Sequence, residues 1–115
     1  MIKITDRATL ESECGKNKSL AVLYYAEGTT SANQMFKDCL TFYQSRVVSQ
    51  DKIYVPKVAI ANVNNQAIKS ICDGLQIKEF PAFVLYDTSA NPIRTLIGFH
   101  WLEVPIIYET QKKML

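Results

Sequence analysis

Leu20-Ala21-Val22-Leu23-Tyr24-Tyr25-Ala26-Glu27-Gly28-Thr29-Thr30-Ser31-Ala32 holds the strongest structural signal in the chain. Residues 20–25 form an almost uninterrupted apolar run. A strand that is covered on both faces has this pattern, because neither set of alternating side chains meets water. The polar segment Glu27 to Ser31 follows, and then Ala32, Met35, Phe36, Cys39, Leu40, Tyr43 and Val47 recur at spacings of three and four. That stripe predicts a long amphipathic helix with Ser31, or a threonine before it, as its N-cap.

The neighbouring segments extend the alternation in both directions. Upstream, Ile2 to Ile4 fits a short edge strand. Thr5-Asp6 offers an N-cap for a helix in which Leu10 and Cys14 share a face until Gly15 ends it. Downstream, Lys57 to Val63 reads as a second buried strand. Asn65 can cap a short helix with Ala67, Ile68, Ile71 and Cys72 facing inward and Gly74 near its end. Ala82 to Tyr86 and Ile93 to Ile97 read as two more strands, joined by the turn residues Asp87 to Pro92 into a hairpin. A final helix runs from about Leu102 to Lys113. Strands alternating with helices pair in parallel, and the closing hairpin makes the sheet mixed. The expected architecture is a single α/β domain over residues 1–115, a mixed sheet of four to five strands with helices on both faces.

Composition narrows the function classes. Apolar residues make up 48% of the 115, charged residues 21%, and the formal net charge is only +2. The lysines are scattered, without the basic, aromatic-interleaved face that nucleic acid requires, so no nucleic-acid partner is expected. No apolar stretch approaches the roughly 20 residues that cross a bilayer, and no membrane association is expected. The N-terminal residues lack the apolar core of a signal peptide, which favours a cytoplasmic setting. Cys14, Cys39 and Cys72 are odd in number and far apart, and no C-x-x-C occurs. With His100 as the single histidine, no metal site and no cofactor are expected.

These segments, in this order, resemble thioredoxin. The family's first central strand runs into a segment of the type D-F-W-A-E-W-C-G-P-C, against Leu23-Tyr24-Tyr25-Ala26-Glu27-Gly28-Thr29-Thr30-Ser31-Ala32 here. Its G-I-x-G-x-P-T, with a cis proline, is matched by Gln76-Ile77-Lys78-Glu79-Phe80-Pro81-Ala82. Ala61-Asn62-Val63-Asn64-Asn65 resembles the strand end before the family's third helix, and Gly98 matches the glycine closing its last strand. The resemblance spans nearly the whole chain and implies a thioredoxin fold.

The departures bear on function. Thr29 and Ala32 stand where the resemblance places the nucleophilic and resolving cysteines, and Leu23 where it places a buried, proton-handling aspartate. Gly28 replaces a tryptophan and Ala82 a threonine. A dithiol cycle needs both sulfurs, and this pattern leaves neither, so dithiol oxidoreductase activity is not expected. What the resemblance leaves is a groove equivalent to the thioredoxin active site, made of Gly28, Thr29, Thr30, Ser31, Phe80, Pro81, Gly98 and Phe99. The expected partner is a protein or an extended peptide, with aromatic anchors at Phe80 and Phe99. The competing expectation is a thiol- or glutathione-dependent enzyme using the Thr29–Ser31 loop. Its hydroxyls would sit at a helix N-terminus, although the loop has no histidine or lysine to activate one. The three cysteines fit helix faces that pack into the core.

Overall fold

A computed structural model describes residues 2–28, 31–50, 57–98 and 103–114, excluding the side chains of 31, 42–50 and 112. Its elements run in the expected order: β1 (Ile2–Lys3), α1 (Arg7–Lys16), β2 (Leu20–Tyr25), α2 (Ser31–Gln50), β3 (Val58–Asn62), α3 (Gln66–Gly74), β4 (Ala82–Tyr86), β5 (Pro92–Ile97) and α4 (Val104–Lys113). The sheet order is β1-β3-β2-β4-β5. β2 pairs in parallel with β3, Leu23 opposite Ile60, and antiparallel with β4, Leu23 opposite Phe83.

Every residue of β2 is at most 7% exposed. Alternation then sends its side chains into two separate cores. Leu20, Val22 and Tyr24 join Leu10, Cys14, Ile68, Ile71 and Cys72, a cluster supplied by α1 and α3. Ala21, Leu23 and Tyr25 join Phe36, Leu40, Val104 and Ile107 from α2 and α4 on the other face. There the rings of Phe36 and Phe83 meet edge to face, 6.5 Å apart. Burial of these side chains contributes roughly 1.5–3 kcal/mol for each large one.

Local chemistry sets the element ends. Asp6 caps α1 by accepting from the Thr9 N–H at 2.7 Å. Asn65 caps α3 by accepting from the Ala67 N–H at 2.9 Å. In the turn of the β4–β5 hairpin, the Asp87 carboxylate accepts from the N–H groups of Ser89 and Asn91, both at 2.9 Å, and Ala90 is left-handed at φ 62°.

Three expectations are corrected. Gly15 lies inside α1, which runs on to Lys16 because Asn17 ends it, its amide donating to the Glu13 carbonyl at 2.6 Å. Ala32 and Met35 point outward, Met35 being 61% exposed. The seam of α2 is Asn33, Phe36 and Leu40, because Asn33 turns in to donate to the Ala26 carbonyl at 3.3 Å. Tyr43 and Val47, whose side chains are not described, leave the rest of that stripe outside the description. Ala67 is exposed, and α3 packs through Ile68, Ile71 and Cys72.

Inside the α1–α3 core, the Tyr24 and Tyr86 hydroxyls meet at 2.6 Å. Removing one partner leaves the other hydroxyl buried, whereas removing both leaves an apolar contact of similar shape. Tyr24→Phe is therefore expected to lower unfolding free energy by about 1–2 kcal/mol in urea titration. The double variant Tyr24→Phe/Tyr86→Phe should cost less than the sum of the singles by about 1 kcal/mol. Strict additivity would show that the two hydroxyls are not coupled.

Candidate functional site

Three segments converge at the end of the sheet where β2 runs out. Tyr24 lies opposite Ala82, so the chain leaving β2 at Ala26 runs beside Phe80 and Pro81. The Phe80–Pro81 peptide bond is cis. On the far side, the Gly98 N–H donates to the Pro81 carbonyl at 3.0 Å, continuing the β4–β5 ladder by one rung. Gly28 and Gly98 both adopt left-handed backbone, φ 75° and 56°, a conformation that glycine enters without the Cβ penalty. Both glycines are exposed, and Phe80 and Pro81 are half-buried.

The turn after β2 is fastened by side chains. Asn64 donates to the Glu27 carbonyl at 2.9 Å, Asn62 donates to the Glu27 carboxylate at 2.7 Å, and the Asn64 N–H donates to the Asn62 side chain at 3.0 Å. This clamp joins the turn to the β3–α3 connection. Lys37 of α2 places its ammonium 4.9 Å from the centre of the Tyr25 ring, a cation–π contact.

Of the groove residues expected from sequence, the structure joins Pro81 to Gly98 and sets Phe80 beside the exit of β2, with Gly28 exposed in the turn that follows. Thr29, Thr30 and Phe99 lie outside the described residues, and Ser31 is described only as the first residue of α2. Phe80 also packs on the α1–α3 core, so its ring is not a free anchor. The clamp residues Asn62 and Asn64, with Lys37, are not among the site residues expected from sequence. Both asparagines belong to the strand-end segment that resembles the family, but no local pattern says that they reach Glu27 across 35 and 37 residues.

Leu23 is wholly buried in the cluster of Phe36, Leu40 and Phe83, where an apolar side chain can move no proton. Cys14 and Cys72 are wholly buried in the opposite core. Burial, helped by the nearby charges of Asp87, Glu11 and Glu13, pushes the Cys14 thiol from the usual 9.0 to about 11. Burial, with Asp73, pushes Cys72 from 9.0 to about 12. Both are held as neutral thiols at physiological pH and are poor nucleophiles. Cys39, in α2, is partly exposed. No cluster of three or more potential metal ligands occurs among the described residues. No helix among them is long and apolar enough to cross a membrane.

No protein-family model matches this sequence, and no curated protein matches it. Solved structures do. Thioredoxin from Fasciola hepatica is 14% identical over 100% of both chains, with a TM-score of 0.77. Mitochondrial thioredoxin 3 from Saccharomyces cerevisiae is 17% identical over 98% of this chain and 94% of that one, with a TM-score of 0.74. Thioredoxin from Malassezia sympodialis is 14% identical over 96% of this chain and 91% of that one, with a TM-score of 0.73. The chain has the thioredoxin fold.

The thiol environments have two measurable consequences. Cys39 is expected to react with an aromatic disulfide reagent in the native protein, and Cys14 and Cys72 only after unfolding. Folding raises the pKa of both buried thiols, so the folded state holds their protons more tightly. Their contribution to stability is complete below about pH 9 and is lost as pH rises toward 11 and 12. Chemical denaturation should show stability falling across that window by about 1.4 kcal/mol per pH unit for each thiol. Cys72→Ala should flatten the slope, and an unchanged slope would show that Cys72 does not contribute to it.

Proposed function

We propose that this chain is a redox-inactive thioredoxin-fold module that binds a protein or an extended peptide in the cytoplasm, as a subunit or adaptor of a larger assembly. One observation carries the reading: the turns expected to frame a groove lie at one end of the sheet, while Thr29 and Ala32 stand where the resemblance places its chemistry. The frame consists of the Ala26–Gly28 turn, the Phe80–Pro81 turn and Gly98, all at one sheet end. Ala32 offers no group that could resolve a mixed disulfide, and Leu23 offers none that could accept its proton. A site without reactive sulfurs but with exposed backbone at two glycines beside a proline is suited to recognition.

The partner would lie along the edge formed by Gly28, Phe80, Pro81 and Gly98, and Phe99 would extend it. Phe80 supplies half-buried aromatic area, the kind of surface that contributes most at interface centres. Met35 is exposed in the second turn of α2 and offers an adaptable apolar contact.

Two assays test the proposal. With dithiothreitol as electron source, the chain should not accelerate insulin reduction above the uncatalysed rate. Affinity capture from the native source should yield a stoichiometric partner. That partner should be lost with Gly28→Asn, because a Cβ there meets no atom of the chain within 4 Å and adds bulk to the exposed surface, while asparagine tolerates positive φ. Phe80→Glu should also lose it, with a melting curve recorded because Phe80 packs on the core. Insulin reduction, or equal capture by Gly28→Asn, would overturn the reading.

A further inference from the structure

On the other side of the Ala26–Gly28 turn, a cleft of about 300 Å³ opens between α2 and the β1 edge. It is lined by Lys3, Ile4 and Thr5, by Tyr25 and Glu27, by Lys37, and by Ile60, Asn62 and Asn65. This size is at the lower end of small-molecule sites. It shares Glu27's turn with the groove but none of the groove residues.

The apolar, buried part of the lining is Ile60 and Tyr25, both on the α2–α4 side of the sheet. The walls are fixed by the scaffold. The Asn65 amide donates to the Thr5 carbonyl at 3.1 Å while its oxygen caps α3, and the Asn62 amide holds Glu27 by Oε2. The asparagine amides are thus committed to fixing the cleft's shape. Three charged side chains also line the cleft: Lys3, Lys37 and Glu27. None of the three takes part in an ion pair among the described residues, where Lys16–Glu13 is the pair formed. Lys37 is moreover held in place over Tyr25 instead of extending into solvent.

This charge pattern selects its ligand class. A simple cation would face two lysines, and a simple dianion would face Glu27. An ampholyte with two carboxylates and one ammonium group complements all three charges, and its short aliphatic stem fits the apolar part of the lining. We propose that the cleft binds a small acidic amino acid, with its carboxylates on Lys3 and Lys37 and its ammonium on Glu27. The proposal is independent of the peptide-groove reading, since it uses different residues and a different ligand.

The test is a titration of the full chain with L-glutamate, followed by amide chemical shifts in low-salt buffer. Glutarate, which is glutamate without the ammonium group, serves as the comparison ligand. The expected result is saturable shifts around Lys3, Tyr25, Glu27 and Asn62, with glutamate binding about 10-fold tighter than glutarate. Lys37→Met and Lys3→Met should each weaken glutamate about 10-fold, and Glu27→Gln should bring glutamate and glutarate to the same affinity. Lys69→Met, which removes an equal charge from the exposed face of α3, should bind as wild type does. Amide spectra of each variant establish that it is folded. Non-saturating shifts, equal binding of the two ligands by wild type, or an equal loss in Lys69→Met would each overturn the proposal.

Discussion

Complete burial of β2 is the constraint from which the other elements take their places. A strand with both faces covered must have a helical layer on each side and a paired neighbour along each edge. β3 and β4 provide the edges, α1 and α3 one layer, and α2 and α4 the other. The same constraint locates the candidate sites. Because β2 lies centrally, the chain leaving it at Ala26 emerges beside the β3–α3 connection on one side and the Phe80–Pro81 turn on the other. Groove and cleft are the two flanks of that exit.

Much of this is legible in the sequence wherever a residue's role is set by its near neighbours. The apolar run 20–25, the Asn65 cap and the Asp87 turn are local features, and the structure agrees with each. The departures come where another group decides. Gly15 reads as a helix stop, yet Asn17 makes a better one by reaching back to Glu13. Met35 reads as core by spacing, but the carbonyl of Ala26 draws Asn33 inward and rotates the seam away from it. The sites divide in the same way. The groove follows from an ordered set of motifs, whereas the cleft assembles Lys3, Glu27, Lys37 and Asn62 from separate elements and turns with no shared periodicity.

The identity of residue 23 connects stability to function. A carboxylate at a position wholly buried with Phe36 and Leu40 would carry a desolvation cost of several kcal/mol unless paired. Leucine removes that cost and adds apolar burial, so the core gains stability at this position. In the opposite core the Tyr24 and Tyr86 hydroxyls satisfy one another. Burial pushes the phenol of Tyr24 far up and that of Tyr86 to about 12, so neither releases a proton near neutral pH. The interior is arranged for packing, and whatever specificity the molecule has must reside at its surface.

At that surface one short turn carries both candidate sites. Ala26 is held by Asn33 from α2, and Glu27 is held by Asn62 and Asn64 from the end of β3. These bonds tie the turn to two different elements, so its position is common to the groove wall at Gly28 and the cleft wall at Glu27. A ligand on either side that prefers one placement of the turn alters the other side's affinity by the same free energy, since coupling between two binding sites is reciprocal. Its size is bounded by how far the turn can shift while keeping its asparagine bonds. Each of those is a neutral or charge-assisted hydrogen bond of about 1–3 kcal/mol, which is also the usual range of coupling between sites. The clamp thus fixes the one turn that both candidate sites share.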